Sequence, residues 1–551
     1  MSLTSPNEQI AVPSLEAAPE AKENLMPGNH SYRQILKSSA LVGGSSAVNI
    51  AVGIIRTKAM AILLGPAGFG LFGVYGSIIN VTQTLAGMGV NTSGVRQIAE
   101  AIGSADAERI AITTIVLRRA SFVLGLFGAL FLIVFSRQVA TLTFGNSQHY
   151  ADVALLSAAV FFQLVSAGQS ALVQGMRRIR DLAKLGAVGA ALGTVVSILI
   201  VYFLHEKGVT VSLVAVALMS LALSWWYSRT VRVPAISIAH SQLWREASAL
   251  LKLGFAFMAG GFMTIGIAYV VRIVLVRKVG FEATGFYQSA WTLGGLYVGF
   301  ILQAMSADFY PRLSANADDN TACNRLVNEQ TQVGILLAGP GLLATLTFAS
   351  VVIRLFYSAK FGAAVGVLRW ICMGAVLQVI SWPMGFVIVA KARRATYFAT
   401  ELAWALVSLV LAWTFIEAFG LNGAGIAFFG SYVFYAFMLY VVVHRISGFC
   451  WSAENKRTGL TFLVLITGVF CAFYMLPFVW SFCLGTLAVI ISGIYSSRIL
   501  LTLVSLNRIP ASFRRVLIRL GLVPEASANA STVECLLAKH IRVHSTSKGF
   551  G

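Results

Sequence analysis

The chain has 551 residues, 57% of them hydrophobic and only 11% charged, with a mean hydropathy of +0.79, whereas soluble domains carry about 25% charge. Compact soluble chains beyond roughly 300 residues split into domains with polar exteriors, so this composition argues against a soluble enzyme and makes lipid the solvent. The 41 Lys and Arg exceed 21 acids, for a net charge of +20, but they are scattered between apolar blocks rather than interleaved with aromatics, which sets nucleic acid aside as a partner.

In chain order, residues 1–34 read as a disordered cytoplasmic tail; they lack the basic leader and apolar run of a cleavable signal peptide. Fourteen apolar runs follow, each near the ~20 residues that cross a ~30 Å hydrocarbon layer as a helix: 38–63, 70–90, 114–136, 151–174, 184–204, 209–228, 250–276, 284–306, 332–356, 363–390, 396–417, 421–444, 459–480 and 482–504. The expected fold is therefore an all-α integral membrane protein of about 14 transmembrane helices. Spans one to six occupy 35–230, a linker 231–248, spans seven to twelve 249–446, and the last two 458–504. The segment 505–551 is a basic cytoplasmic tail in which Arg508, Arg514, Arg515 and Arg519 alternate with aliphatics, as in a helix lying on anionic lipid.

Basic residues collect in alternate loops, around Arg177 to Lys184, Arg229 to Arg245, Lys391 to Arg394 and Arg445 to Arg457, which places both termini in the cytoplasm. The chain also repeats itself. IIRTKAMAILLGPAGFGLFGVYGSI, from Ile54, aligns with VVRIVLVRKVGFEATGFYQSAWTL, from Val270, after one residue of gap, setting Arg56 on Arg272 and Gly70 on Gly285, with Tyr75 near Tyr287. Six spans precede the second copy's, so each repeat holds six. An even number keeps both copies in one orientation, so the halves are expected to be related by an axis along the membrane normal.

Several motifs are decoys. Gly68, Gly70 and Gly73 spell GxGxxG, yet no strand precedes them and no acid occurs before Glu100, so a tight hairpin between helices explains them better than a dinucleotide site. No Gly-Lys dipeptide occurs, so there is no Walker A loop. The six cysteines, at 323, 372, 450, 471, 483 and 535, have neither disulfide nor metal spacing. The external loops are short, leaving no region to carry a glycosyltransferase or polymerase active site.

Charges within spans are the informative signal, because an arginine at mid-membrane costs ~2.5–3.5 kcal/mol and usually faces a cavity or a partner. Arg56 lies eight residues from the end of span one, about 12 Å deep by helix rise, above a stripe of Ser45, Asn49 and Gly53. Thr264 and Ala268 precede Arg272 in the same way. Both arginines are expected to line an aqueous cavity. Lys58 lies on a different face; Arg118 and Arg119 either reach the cavity or mark the start of span three; Arg369 lies inside span ten. Glu401 is the clearest acid within a span, either a coupling group or a counter-ion to a neighbouring arginine. Gln83, Gln163, Gln169, Gln288 and Gln378 read as interhelical bonds.

Arg56, the LLGPAGFGLFGVYGSI turn, the repeated arginine in span seven and the GFYQSAW segment resemble the Wzx-type O-antigen and polysaccharide flippases of the multidrug/oligosaccharidyl-lipid/polysaccharide exporter superfamily, over about residues 33–504. The resemblance implies two six-helix lobes in a V around a central cavity, plus two C-terminal helices. It implies a transporter, not an enzyme, with no cofactor and no metal. Its cargo would be an undecaprenyl-pyrophosphate-linked oligosaccharide, an O-antigen or exopolysaccharide repeat unit, moved across the bacterial inner membrane by alternating access beside polysaccharide polymerase machinery. Arg56 and Arg272 match positions where the family carries cavity cations, with Lys58, Arg369, Arg118 and Arg119 as further substrate-binding candidates and Glu401 as the coupling candidate. The alternatives are a lipid II flippase and a cation-coupled multidrug exporter of the same fold. The exporter would be expected to offer acids in spans one or seven.

Overall fold

The computed structural model describes residues 29–103, 106–231 and 240–503, and among them the secondary structure is helical throughout. The helices are α1 (Asn29–Gly87), α2 (Val90–Gly103), α3 (Ala107–Val134), α4 (Ser136–Phe144), α5 (Tyr150–Gly175), α6 (Ile179–Leu204), α7 (Gly208–Ser228), α8 (His240–Lys278), α9 (Phe281–Ala315), α10 (Asn320–Thr347), α11 (Ala349–Phe356), α12 (Ala364–Ala390), α13 (Arg394–Phe419), α14 (Leu421–Ser447), α15 (Ala453–Met475) and α16 (Phe478–Leu503). Among the described residues nine stretches are long and apolar enough to cross a membrane, or up to eleven if each of two bent pairs counts as one span. Large apolar side chains such as Phe127, Val410, Leu460 and Val464 are exposed, an outer surface suited to acyl chains and not to water.

The 59 residues of α1 are not one rod. Gly65 has φ 65° and ψ −175°, a left-handed conformation that glycine alone adopts at little cost, and Pro66 opens the following arm with its preset φ. The guanidinium of Arg56 lies 5.6 Å from the Phe72 ring, whereas sixteen residues of straight helix would separate them by about 24 Å. The chain therefore turns back at Gly65 into a helical hairpin. The second half does the same between α8 and α9 at Gly280, φ 111°, where Arg272 reaches Gln288. Gly65 and Gly280 occupy equivalent places in the sequence repeat.

Packing repeats along with sequence. In the first half α1 packs on α6, α3 on α5, α5 on α7 and α6 on α7; in the second, α8 packs on α13, α10 on α12, α12 on α14 and α13 on α14. Short α4 follows α3, and short α11 follows α10 after an 80° bend. The halves meet where α1 packs on α8 and α9, and where α2 packs on α8. The helices α15 and α16 lean on α10. Any side chain at Gly339 of α10 would overlap the Phe462 ring of α15, and one at Gly485 of α16 would meet Thr347 of α10. Small residues permit such close approach in lipid, where packing drives helix association. Gly339→Leu is expected to undock α15 and lower the melting temperature of the purified protein by several degrees without changing its helix content; an unchanged melt would show that this contact contributes little.

Two elements depart from expectation. The stretch after span two holds α2, whose apolar face of Val90, Ile98 and Ala101 is buried while Arg96 and Glu100 pair at 2.7 Å on the exposed face. It is too short and too polar to register as a span. Similarly, α8 begins at His240, inside the expected 231–248 linker, because Leu243, Ala247 and Leu250 form an amphipathic entry that packs with Ile98 and Leu117. Of the expected tails, residues 1–28 and 505–551 lie outside the described residues, as do 232–239 of the linker, and α1 starts at Asn29.

Candidate substrate cavity

The two halves touch at both ends of a central seam. At the Gly65 end, a Cβ on Gly70 would overlap the Phe281 carbonyl oxygen and one on Gly285 would overlap that of Pro66. At the opposite end, Gly89 abuts the Gly254 carbonyl and Gly254 that of Met88. The GxGxxG glycines are thereby explained: Gly70 and Gly73 face α9 across the seam, while Gly68 sits over its own Leu64.

Between the two contacts the same helix faces continue without touching. From Gly70 and Gly73, steps of three or four lead along α1 to Asn80 and Thr84; from Gly285 and Gln288 they lead along α9 to Thr292, Gly295 and Gly299. Gly76, Gly295 and Gly299, with Gly261 and Gly266 of α8, border open space. A hollow of about 260 Å³ lies toward the Met88 end, lined by Gln83, Thr84, Asn91, Thr92, Ser121 and Met258 among others. Along α1 and α9 these seam positions are small or polar, while apolar residues such as Val74, Ile78, Tyr287 and Val298 turn into the core.

Arg56 and Arg272 sit near the Gly65 end of this seam in matched positions but in different states. Arg272 is 6% exposed. Its Nε and Nη2 both donate to Gln288 Oε1, at 2.9 and 2.7 Å, its Nη1 donates to the Ala268 carbonyl at 2.6 Å, and the Tyr287 ring lies 5.7 Å away. Arg56 has the Phe72 ring, which corresponds to Tyr287 in the repeat, but its buried Nε has no hydrogen-bond partner among the described residues. Asn49 Oδ1, two turns away on the same face of α1, is also buried without a partner. No carboxylate pairs with either arginine among the described residues. Buried cations ordinarily have such a partner, so a pair of uncompensated guanidiniums is suited to an anion supplied from outside the chain.

The other sequence candidates lie elsewhere. Lys58 is half-buried and forms no hydrogen bond or ion pair with the described residues. Arg118 and Arg119 are exposed about three turns into α3, and Arg118 Nη2 donates to the Ser228 carbonyl at 3.3 Å, toward the Met88 end. Arg369 of α12 lies 3.7 Å over the Phe473 ring of α15, so it faces the appended pair; its Nε has no hydrogen-bond partner among the described residues. Glu401 is buried on α13, accepts a 2.6 Å hydrogen bond from Tyr435 Oη and stands beside Trp404 and Tyr432. No Lys or Arg pairs with it among the described residues, so of its two readings the counter-ion to an arginine finds no partner there, and the carboxylate is held by a tyrosine hydroxyl.

Two features had no local sequence signal. One is the Gln288 bond to Arg272. The other is a network at the Gly65 end in which Tyr75 Oη donates to Asp152 Oδ2 at 2.9 Å and contacts His149 Nδ1 at 3.0 Å, while Thr210 donates to Asp152 Oδ1. Tyr75, the neighbouring His149 and Asp152, and Thr210 come from three distant parts of the sequence, and only packing brings them together.

The profile of the family described as polysaccharide biosynthesis protein matches residues 59–366. The lipid III flippase of Escherichia coli (strain K12) is 25% identical over 422 residues, covering 73% of this chain and 96% of its own length, and the Shigella flexneri lipid III flippase gives the same figures. Among solved structures, the lipid II flippase MurJ in an inward closed conformation has a TM-score of 0.64 at 14% identity, covering 84% of this chain and 99% of its own. An inward-facing multidrug resistance MATE family transporter of the MOP superfamily has a TM-score of 0.59 at 16% identity, covering 75% and 96%. These two similarities are similarities of fold.

Proposed function

Because the chain belongs to the polysaccharide biosynthesis protein family, we propose that it is a flippase that carries an undecaprenyl-pyrophosphate-linked oligosaccharide, such as an O-antigen or exopolysaccharide repeat unit, across the bacterial inner membrane. Splitting Ala47–Gly87 at Gly65 and Ile179–Ser228 at His205 turns eleven spans into thirteen, and α8 makes fourteen. In this reading α1–α7 and α8–α14 are two lobes of a V, α15 and α16 are additions to the second lobe, both termini are cytoplasmic, and the Gly65 end faces the periplasm. The curated relatives named lipid III flippases support a lipid-linked cargo.

The observation that carries the reading is the pair Arg56 and Arg272, without counter-ions among the described residues, beside a small, polar seam. A diphosphate is prohibitively costly to desolvate in bare hydrocarbon, and arginine offers it permanent charge and planar, bidentate donors. The head group enters the seam, Arg56 and Arg272 hold the diphosphate, the lipid tail stays among acyl chains, and the lobes rock to exchange the closed end. Lys58 adds positive charge near Arg56, and Arg118 and Arg119 attract the anion toward the Met88 end; Arg369 binds no cargo in this scheme. The full-length protein in proteoliposomes is expected to flip a fluorescent undecaprenyl-pyrophosphate-linked glycan, read as protection from a membrane-impermeant quencher. No flipping by well-reconstituted protein would reject the assignment.

A lipid II flippase shares the diphosphate chemistry, and the similarity to MurJ keeps it as the second reading; competition between the two lipids for transport decides it. Against cation-coupled drug export, α1 contains no acid and α8 only Glu246, near its start. Glu401 is the coupling candidate, a buried carboxyl held by one tyrosine and, among the described residues, by no cation. Glu401→Gln, which keeps the bond to Tyr435 and removes the titration, is expected to leave cargo binding intact and flatten the pH dependence of flipping. An unchanged pH profile would remove Glu401 from the coupling scheme.

A further inference from the structure

Gln288 has three partners that meet on one side-chain amide. Its Oε1 accepts from both Nε and Nη2 of Arg272, the guanidinium edge that binds two oxygens of a phosphate or carboxylate side by side. Its Nε2 donates to Thr292 Oγ1 at 3.3 Å. The same side chain lies flat against Gly73 of the other half, where any Cβ would crowd its Cγ, Cδ and Oε1. Gly73 is also the position that matches Gln288 in the sequence repeat. The first half therefore has a glycine where the second has an amide, and among the described residues Arg56 Nε is left without a partner where Arg272 Nε is bound.

We propose that Gln288 is a placeholder for the cargo's phosphate: it occupies the binding edge of Arg272 while the halves meet at the Gly65 end, and yields that edge to the diphosphate when they part. The proposal rests on reading the chain as a diphosphate carrier, and adds a conditional second cation to it. Three features suit Gln288 to this exchange. A neutral amide holds the guanidinium less tightly than a carboxylate would, so a dianionic phosphate displaces it. The contact with Gly73 presses the amide toward Arg272 only while the seam is shut, so opening leaves it held on the far side by the Thr292 bond alone. The bond from Arg272 Nη1 to the Ala268 carbonyl does not involve the seam, so the guanidinium stays aimed while one edge changes partner. Arg56 is then the permanent anion site and Arg272 the conditional one, which ties tight binding to one conformation. Gln288 is a positioning residue that acts through Arg272.

The test is binding of geranylgeranyl pyrophosphate to the full-length protein in nanodiscs. Gln288→Leu and Gln288→Met, which remove the amide but keep its bulk, are expected to tighten binding about tenfold, the value of one hydrogen bond to a charged group. Gln288→Glu is expected to weaken it at least tenfold at pH 7.5, because a carboxylate competes for Arg272 and repels the diphosphate. Adding Arg272→Ala to Gln288→Leu is expected to erase the gain, since the two residues then form one coupled pair. If the Leu, Met and Glu variants all bind within twofold of the parent while Arg56→Ala weakens binding, the placeholder role is overturned and the diphosphate reading stands. If the parent protein does not bind the probe, both fall. A Leu variant with an altered melt leaves the decision to the Met and Glu variants.

Discussion

Arg56→Ala is expected to abolish flipping, by roughly a hundredfold to a thousandfold, while leaving the protein as stable as the parent or more so. The magnitude follows from the anion that the residue would hold: two unit charges 4 Å apart at an effective dielectric near 20 attract by about 4 kcal/mol, close to a factor of a thousand. The stability half follows from the partners Arg56 lacks. Its Nε is buried without a hydrogen bond and no acid pairs with it among the described residues, so folding gains little from the charge and loses its solvation. Arg272→Ala differs, because it leaves the buried Gln288 Oε1 without both of its donors; its loss of transport is expected to come with a lower melting temperature. Measuring flipping and thermal unfolding on the same preparations separates the two. A destabilised, inactive Arg56→Ala protein would instead indicate that Arg56 serves the fold.

The apolar runs were legible because a helix in lipid must satisfy its own backbone and so advertises itself as an uninterrupted stretch. The repeat was legible at its most constrained points, Arg56 with Arg272 and Gly70 with Gly285, since one residue type carries charge into lipid and the other permits backbone contact. What escaped notice depends on packing. In sequence, Gln288 is one of several amides in apolar helices, and nothing local marks it as the partner of Arg272. The same limit hid the direction of Arg369, since only the docking of α15 brings Phe473 against it. Amphipathic α2 escaped for a different reason: its single buried face is narrow, and Arg96 and Glu100 break the hydropathy that identifies a span.

The seam glycines give the strongest test of movement, because blocking one end should trap the protein open at that end and closed at the other. Gly285→Val forces a side chain into the Pro66 carbonyl, and Gly254→Val forces one into the Met88 carbonyl. Each overlap penalises one closed end only. A penalty of about 2.7 kcal/mol shifts a two-state equilibrium roughly a hundredfold, and backbone overlap costs at least that because no rotamer relieves it. With the six native cysteines replaced and Gly295→Cys introduced on the open face of α9, Gly285→Val is expected to raise labelling by an impermeant maleimide from the periplasmic side, and Gly254→Val from the cytoplasmic side. Both variants should lose flipping, since a carrier that cannot close one end cannot complete its cycle. Flipping that survives both substitutions would mean that the two glycine contacts are not gates. Labelling that rises from the same side in both would mean that the ends do not close in alternation, and the cargo's path would have to lie elsewhere than along the α1–α9 seam.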